Sequence, residues 1–378
     1  MPEIICIGLE GTSPLGMLAS LGLFRMLTNK EPGTRMGWKR DKGWHPMFRA
    51  DTSLEPGPLS QWLVDTIRCL GSVQTGDIQG KQRAARAAKA KIKPLEVSLK
   101  KAKAQARSIA KSKGLKGPKA RAYVHEVISN LEAQLQMAKT EHETRQAQLA
   151  DALGQGVAHL GDVIGVKPEV FRYKAQSALA RYETGEMGLI LDCLASQASD
   201  ASAVDGWLEP TPFSFGNGAG NQCLLKDFRA MATSLEKDEM ESILTNRTPL
   251  RREGTSLNWD PMDQRSYALQ RQNPEKEANP VEFATNVLAF FGLTCLPAMP
   301  GTGQLKAVGF GEGRAAWTWP IWESLLPMDL VRSLLSHPKL QEEIPSKTCL
   351  AAVGIGTYCR ARRFSTNKRL FFSPAEER

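Results

Sequence analysis

Apolar positions along the chain change their period several times, and each change marks an element. "EIICIGLEG" at residues 3–11 is a short apolar run closed by glycines, the pattern of a buried strand and turn. In "TSPLGMLASLGLFRMLT", Leu15, Leu18, Leu21, Leu23, Phe24 and Leu27 cover nearly every side of a helix, which predicts burial all round. Thr12 or Ser13 suits its N-cap and Pro14 its first turn. "GTRMGWKRDKGWHP" alternates aromatic and basic residues between turn glycines. It predicts a β-hairpin with Trp38 and Trp44 inward and Lys39, Arg40 and Lys42 outward. "LSQWLVDTIRCLG" predicts a second helix.

From Lys81 the pattern becomes helical for a long stretch. Pro94 is expected to stop the helix that runs from Lys81. After it, Leu95, Leu99, Ala102, Ala106 and Ile109 recur at spacings of four, three, four and three. "KSKGLKGPK" reads as a loop, and Val124, Ile128, Leu131, Leu135 and Ala138 repeat the spacing beyond it. Two such arms predict an antiparallel helical (coiled-coil) hairpin over residues 81–153, its second arm reaching roughly 50 Å. Residues 160–245 read as mostly helical, interrupted by the loop "EPTPFSFGNGAGNQ". Further on, "VEFATNVLAFFGL" and "MDLVRSLLSHP" predict helices. "CLPAMPGTGQLKAVGF" and "RAAWTWPIWESLLP" predict strands, and "CLAAVGIGTYCRARRFSTNKRLFFSP" predicts a terminal β-hairpin. The fold class is α+β. The body comprises residues 1–80 and 154–378, with the hairpin of 81–153 inserted and no internal repeat.

Charge changes this picture. Residues 81–121 hold 15 Lys or Arg and one acid, Glu96, a net of +14 in a chain of net +9. The rest of the chain is mildly acidic, so one element carries the positive field. Like charges at i,i+4, such as Lys89/Lys93 and Arg107/Lys111, cost helix stability, and a polyanion would offset that cost. The sequence therefore favours nucleic-acid phosphates as the partner over a merely solvated surface. Candidate phosphate contacts are Lys100, Lys101, Lys103, Arg107, Lys111, Lys113, Lys116 and Lys119 on the hairpin and Lys39, Arg40 and Lys42 on the early turn. Arg360, Arg362, Arg363, Lys368 and Arg369, expected around the last turn, complete the set. Asn217, Asn221 and Gln222 in the glycine loop are candidates for base-edge contacts, or an ordinary surface loop.

Candidate chemistry is sparse. No Walker loop is present, and "GFGEGR" lacks the phosphate-cradling pattern. The five histidines are scattered without a metal-binding spacing. Asp260 and Asp263 in "WDPMDQR" suit a capped turn paired with Arg265 better than a shared metal. No nucleophile elbow is found, and no cofactor or metal is expected. Trp317, Trp319 and Trp322 sit among apolar residues and read as core. Seven dispersed cysteines without a C-x-x-C pair fit reduced thiols in a cytoplasm. There is no signal-peptide pattern, and "PLGMLASLGLF" is too short to span a bilayer, so a cytoplasmic protein without a membrane partner is expected.

Three stretches carry a resemblance. "GLEGTSPLGMLASLGLFRML" resembles the start of large subunits of type I CRISPR effector complexes (Cascade). "LNWDPMDQRSYAL" and "GFGEGRAAWTWPIWESLLPMDLVRSLL" resemble mid-chain and C-terminal stretches of the compact large subunits of subtype I-G, formerly I-U. The lysine-rich hairpin lies outside these stretches. The resemblance implies a non-catalytic subunit that holds the 5′ end of the guide RNA and recognises a flanking motif (PAM) in target double-stranded DNA. It implies support of R-loop formation alongside the backbone subunits, and presentation of the displaced strand to a helicase-nuclease. Two alternatives stay open: a stand-alone RNA-binding protein with a basic arm, and a structural adaptor whose hairpin binds an acidic protein surface.

Overall fold

The computed structural model describes residues 2–71, 75–152, 193–194, 210–215, 224–263, 280–300, 305–311, 315–342, 344–366 and 369–378. Helix and strand are mixed, and the chain divides into two compact units. One is Met1–Ser72 with Gly156–Arg378, and the other is Val73–Gln155.

In the first unit, α1 (Pro14–Lys30) starts where the sequence places it. Pro14 opens it and the Ser13 hydroxyl accepts from the Gly16 N–H. Helices α2 (Pro56–Gly71), α5 (Leu224–Ser234) and α6 (Lys237–Thr245) pack together, and α7 (Phe283–Gly292) lies against α1 with every residue buried. The α1–α7 approach depends on two glycines. A Cβ on Gly22 would overlap the Leu288 carbonyl oxygen, and one on Gly292 would overlap that of Leu18. The run of leucines fills the space around this crossing, which is why α1 is apolar on all sides.

Strands β1 (Glu3–Ile5), β2 (Arg35–Arg40) and β3 (Trp44–Arg49) form an antiparallel sheet in the order β1-β3-β2. The free edge of β2 is covered by Trp322–Leu326: Trp38 N–H donates to the Trp322 carbonyl at 2.9 Å, and Met36 and Leu326 exchange backbone bonds. A second sheet centres on β9 (Thr357–Thr366), paired with β8 (Ala316–Ile321) on one side and with β10 (Arg369–Phe372) and β11 (Glu376–Glu377) on the other. Trp317, Trp319 and Trp322 are core residues, and the Trp319 indole donates to the Gly11 carbonyl at 2.8 Å. That bond ties the N-terminal glycine loop to the second sheet. Two short ribbons, β4 (Arg252–Glu253) with β5 (Pro280–Val281) and β6 (Ala298–Pro300) with β7 (Leu305–Ala307), and helix α8 (Met328–Leu335) also belong to this unit.

The terminal hairpin is shorter than its sequence suggests. "KTCLAA" forms helix α9 (Lys347–Ala352), capped by Ser346. Gly354, at φ +83°, closes it: Gly354 N–H bonds the Ala351 carbonyl and Ile355 N–H bonds the Leu350 carbonyl. This is the Schellman arrangement, and Leu350 and Ile355 supply its apolar contact. The strand begins only at Thr357.

The second unit consists of α3 (Thr75–Ser112) and α4 (Gly117–Ala152) packed side by side. Contrary to expectation, Pro94 lies inside α3 without ending it. It is on the exposed side, where water can serve the Ala90 carbonyl that loses its helical donor. The seam on α3 runs through Ala85, Ala88, Leu95, Leu99, Ala102, Ala106 and Ala110. Ile109, expected on it, is 44% exposed, because the last step from Ala106 is four residues rather than three. On α4 the expected positions Val124, Ile128, Leu131, Leu135 and Ala138 all face inward. The turn repeats the α9 ending. Gly114 at φ +67° bonds Lys111, Leu115 bonds Ala110, and Gly117 at φ +57° leads to Pro118 in the first turn of α4.

Candidate nucleic-acid interface

Residues 73–155 hold 17 Lys or Arg and 7 Asp or Glu, a net of +10. Part of that charge is used inside the unit. Lys91 pairs with Glu141 at 2.8 Å, Lys103 with Glu132 at 2.9 Å, and Lys139 with Glu96 at 3.6 Å. As numbers rise on α3 they fall on α4, so the helices run antiparallel. Exposed pairs of this kind contribute about 0.2–1 kcal/mol each, enough to favour one register but little more. Two of the three acids, Glu132 and Glu141, stand on α4, outside the basic segment of residues 81–121. Lys103 is therefore a cross-helix partner. Lys113 lies 4.9 Å from the centre of the Tyr123 ring, a cation–π contact at the turn.

Five of the remaining cations are aligned. Lys89, Lys93, Lys100, Arg107 and Lys111 follow one another at spacings of four, seven, seven and four on the unbroken α3. At 100° per residue these spacings hold all five within an arc of about 40°, on one flank beside the seam, over roughly 33 Å of helix. All five are exposed, and none has an ion pair among the described residues. Lys89 and Lys93, not among the residues expected to contact phosphates, join the row because α3 continues unbroken through Pro94. The four-and-seven spacing was the signal. Lys101, Lys116 and Lys119 are exposed as well, with Lys101 about 100° round α3 from the row.

The row ends at a cleft. Near the turn, residues of both helices line an open hollow of about 410 Å³. Arg107, Lys111, Lys116 and Arg121 stand around it, together with the Lys103–Glu132 ion pair, whose opposite charges offset each other. Its floor is apolar, made by Ala110, Leu115, Val124 and Ile128.

In the other unit, Lys39, Arg40 and Lys42 are exposed at the β2–β3 turn as expected, with Trp38 and Trp44 buried beneath. Arg40 sits 5.5 Å from the centre of the Trp44 ring, and Asp41 in the same turn pairs with Arg247 at 2.7 Å. The C-terminal arginines do not crowd a turn. Arg360, Arg362 and Arg363 lie along β9, and Arg360 is held by the Thr318 hydroxyl at 2.9 Å and the Glu342 carbonyl at 2.6 Å. Arg363 N–H bonds the Ala315 carbonyl and its guanidinium lies 5.6 Å from the centre of the Phe215 ring. Arg362 is exposed, and Glu376 stands close enough for Arg378 first, and Arg362 and Arg360 behind it, to hold its carboxyl below the usual range. Lys368, the side chain of Arg369, and Asn217, Asn221 and Gln222 lie outside the described residues.

Asp260 and Asp263 form a structural turn. The Asp260 side chain accepts from Met262 N–H at 2.9 Å and its partner is Arg251 at 3.5 Å; Arg265, the partner expected from sequence, lies outside the described residues. Asp263 bonds the Ser256 hydroxyl, and burial, with the nearby Asp260 charge, pushes its carboxyl up to about 7 against the opposing pull of the Ser256 bond and Arg251. Among the described residues no group of three or more His, Cys, Asp or Glu is placed to hold a metal ion, and no helix is long and apolar enough to cross a membrane. Compared with known proteins, the chain matches no family model and no curated protein.

Proposed function

We propose that the chain is a non-catalytic nucleic-acid-binding subunit, the large subunit of a type I CRISPR effector complex, acting on guide RNA and target double-stranded DNA in the cytoplasm. The observation that supports nucleic-acid binding is the row Lys89, Lys93, Lys100, Arg107 and Lys111: exposed, aligned and without acidic partners among the described residues. A row of about 33 Å matches one turn of duplex DNA, and such contacts hold phosphates without reading sequence. The assignment to Cascade rests on the resemblance of the glycine-rich start and the two later stretches. In that setting guide pairing reads the target, and the protein supplies charge and shape beside the flanking motif. Backbone subunits and the helicase-nuclease are the protein partners this role requires.

A second reading has its own observation. Val97, Val127 and Met137 are exposed apolar residues on the helical pair, which a protein partner could cover while acidic groups on it meet the cations. Co-expression with the neighbouring genes separates the two. The Cascade reading expects co-purification with backbone subunits and one RNA of uniform length. Elution free of nucleic acid after a high-salt wash, bound to one acidic protein, would replace it with the adaptor.

A further inference from the structure

We infer that the cleft at the turn of the helical pair takes one unpaired nucleotide, its base on the apolar floor and its flanking phosphates on the surrounding cations. The inference rests on the nucleic-acid reading above and adds a site of different chemistry to it. The row on the α3 flank offers charge alone, which suits the outside of a duplex. The cleft offers two surfaces at once. Leu115, Val124 and Ile128 present an apolar bed between the helices, and Arg107, Lys111, Lys116 and Arg121 stand above it. Its volume of about 410 Å³ lies within the range of sites for small organic groups, roughly 300–1,000 Å³. A duplex keeps its bases stacked and paired and cannot lay one on this apolar bed; a single base splayed from its strand can. Arg107 and Lys111 belong to both the row and the cleft, so a strand tracking the row would be led to the pocket.

The turn that shapes the cleft is fixed in advance. Gly114 and Gly117 adopt left-handed backbone, and the Leu115 N–H is bonded to the Ala110 carbonyl. A ligand would thus not have to order the loop, which lowers the cost of binding.

The test fills the cleft without touching a charge. Ala120 lines it and is half-buried on α4, so Ala120→Phe places a ring in the space. Binding of the full chain to oligo-dT of about a dozen nucleotides and to a blunt duplex of about 20 base pairs is read by fluorescence anisotropy. The expected result is a loss of roughly tenfold or more for oligo-dT, with the duplex within about twofold of wild type. Equal loss on both ligands, or none on either, overturns the cleft while leaving duplex binding in place. A wild-type chain that binds neither ligand overturns the nucleic-acid reading itself. Because the ring could disturb the helices, the wild-type chain is also photo-crosslinked to oligo-dT carrying one 4-thiothymidine. Crosslinks on α3 and α4 beside Leu115 and Val124 support the site, and crosslinks confined to other segments remove it.

Discussion

Replacing Lys89, Lys93, Lys100, Arg107 and Lys111 together by Gln tests whether the aligned row meets phosphates. The seam residues and the three cross-helix ion pairs are untouched, so the helical pair should fold as before. It should even gain a few tenths of a kcal/mol, since the change removes the like-charged i,i+4 pairs Lys89/Lys93 and Arg107/Lys111. For duplex DNA, each lost phosphate contact makes the slope of log affinity against log salt shallower by about 0.9. Four or five contacts then amount to roughly 4 units of slope, so a fourfold rise in salt should cost wild type about two decades more affinity than it costs the variant. Anisotropy titrations at several salt concentrations, with matched and unmatched flanking sequences, measure this. A variant with the wild-type slope would refute the phosphate role and leave a protein partner as the use of the charge. Intact general affinity with lost discrimination between flanking sequences would refute the sequence-blind role. Lys103 is left out because Glu132 already holds it, and its removal would mix a folding effect into the slope.

Three further predictions concern the body. Gly22→Ala should destabilise the chain by about 3 kcal/mol or more, measured by denaturant midpoint, because the new methyl meets the α7 backbone at Leu288; Gly57→Ala, with open space around it, is the control expected to be near neutral. Asp263→Asn should stabilise at pH 8 by about 1–3 kcal/mol and change little at pH 4. The folded carboxyl, held up to about 7, keeps its proton where the unfolded one has lost it, so the wild type's penalty is absent below about pH 4 and grows as pH rises toward 7. A gain that is the same at both pH values would show that the effect is not titration. Arg362→Ala should leave the midpoint unchanged and lower nucleic-acid affinity if β9 contacts phosphates, whereas Arg360→Ala should destabilise by about 1–2 kcal/mol through its lost bonds to Thr318 and Glu342.

What the sequence showed of this chain follows how local the governing physics is. The α1 cap, the closing glycines at Gly114 and Gly117 and the inward tryptophans are decided within a few residues, and each stands where its pattern put it. The Schellman ending after Leu350 was equally local but hidden, since "CLAAVGIG" also fits a strand until Gly354 is required at positive φ. Pro94 failed as a stop because a proline's cost of about 3 kcal/mol is set against a helix of 38 residues held along its whole seam by a second helix, and no window around residue 94 contains that second helix. The same distance hid Glu132 and Glu141 from Lys103 and Lys91. The basic segment's total charge is partly structural, so the total alone argues weakly for a polyanion. An unbroken helix, however, brings Lys89 and Lys93 into line with Lys100, Arg107 and Lys111, and the i,i+4 pairs Lys89/Lys93 and Arg107/Lys111 within this line repel. Ion pairing across the helices could have spent these residues as it spent Lys91 and Lys103. That it leaves this flank unpaired among the described residues is why the row, rather than the segment, carries the nucleic-acid proposal.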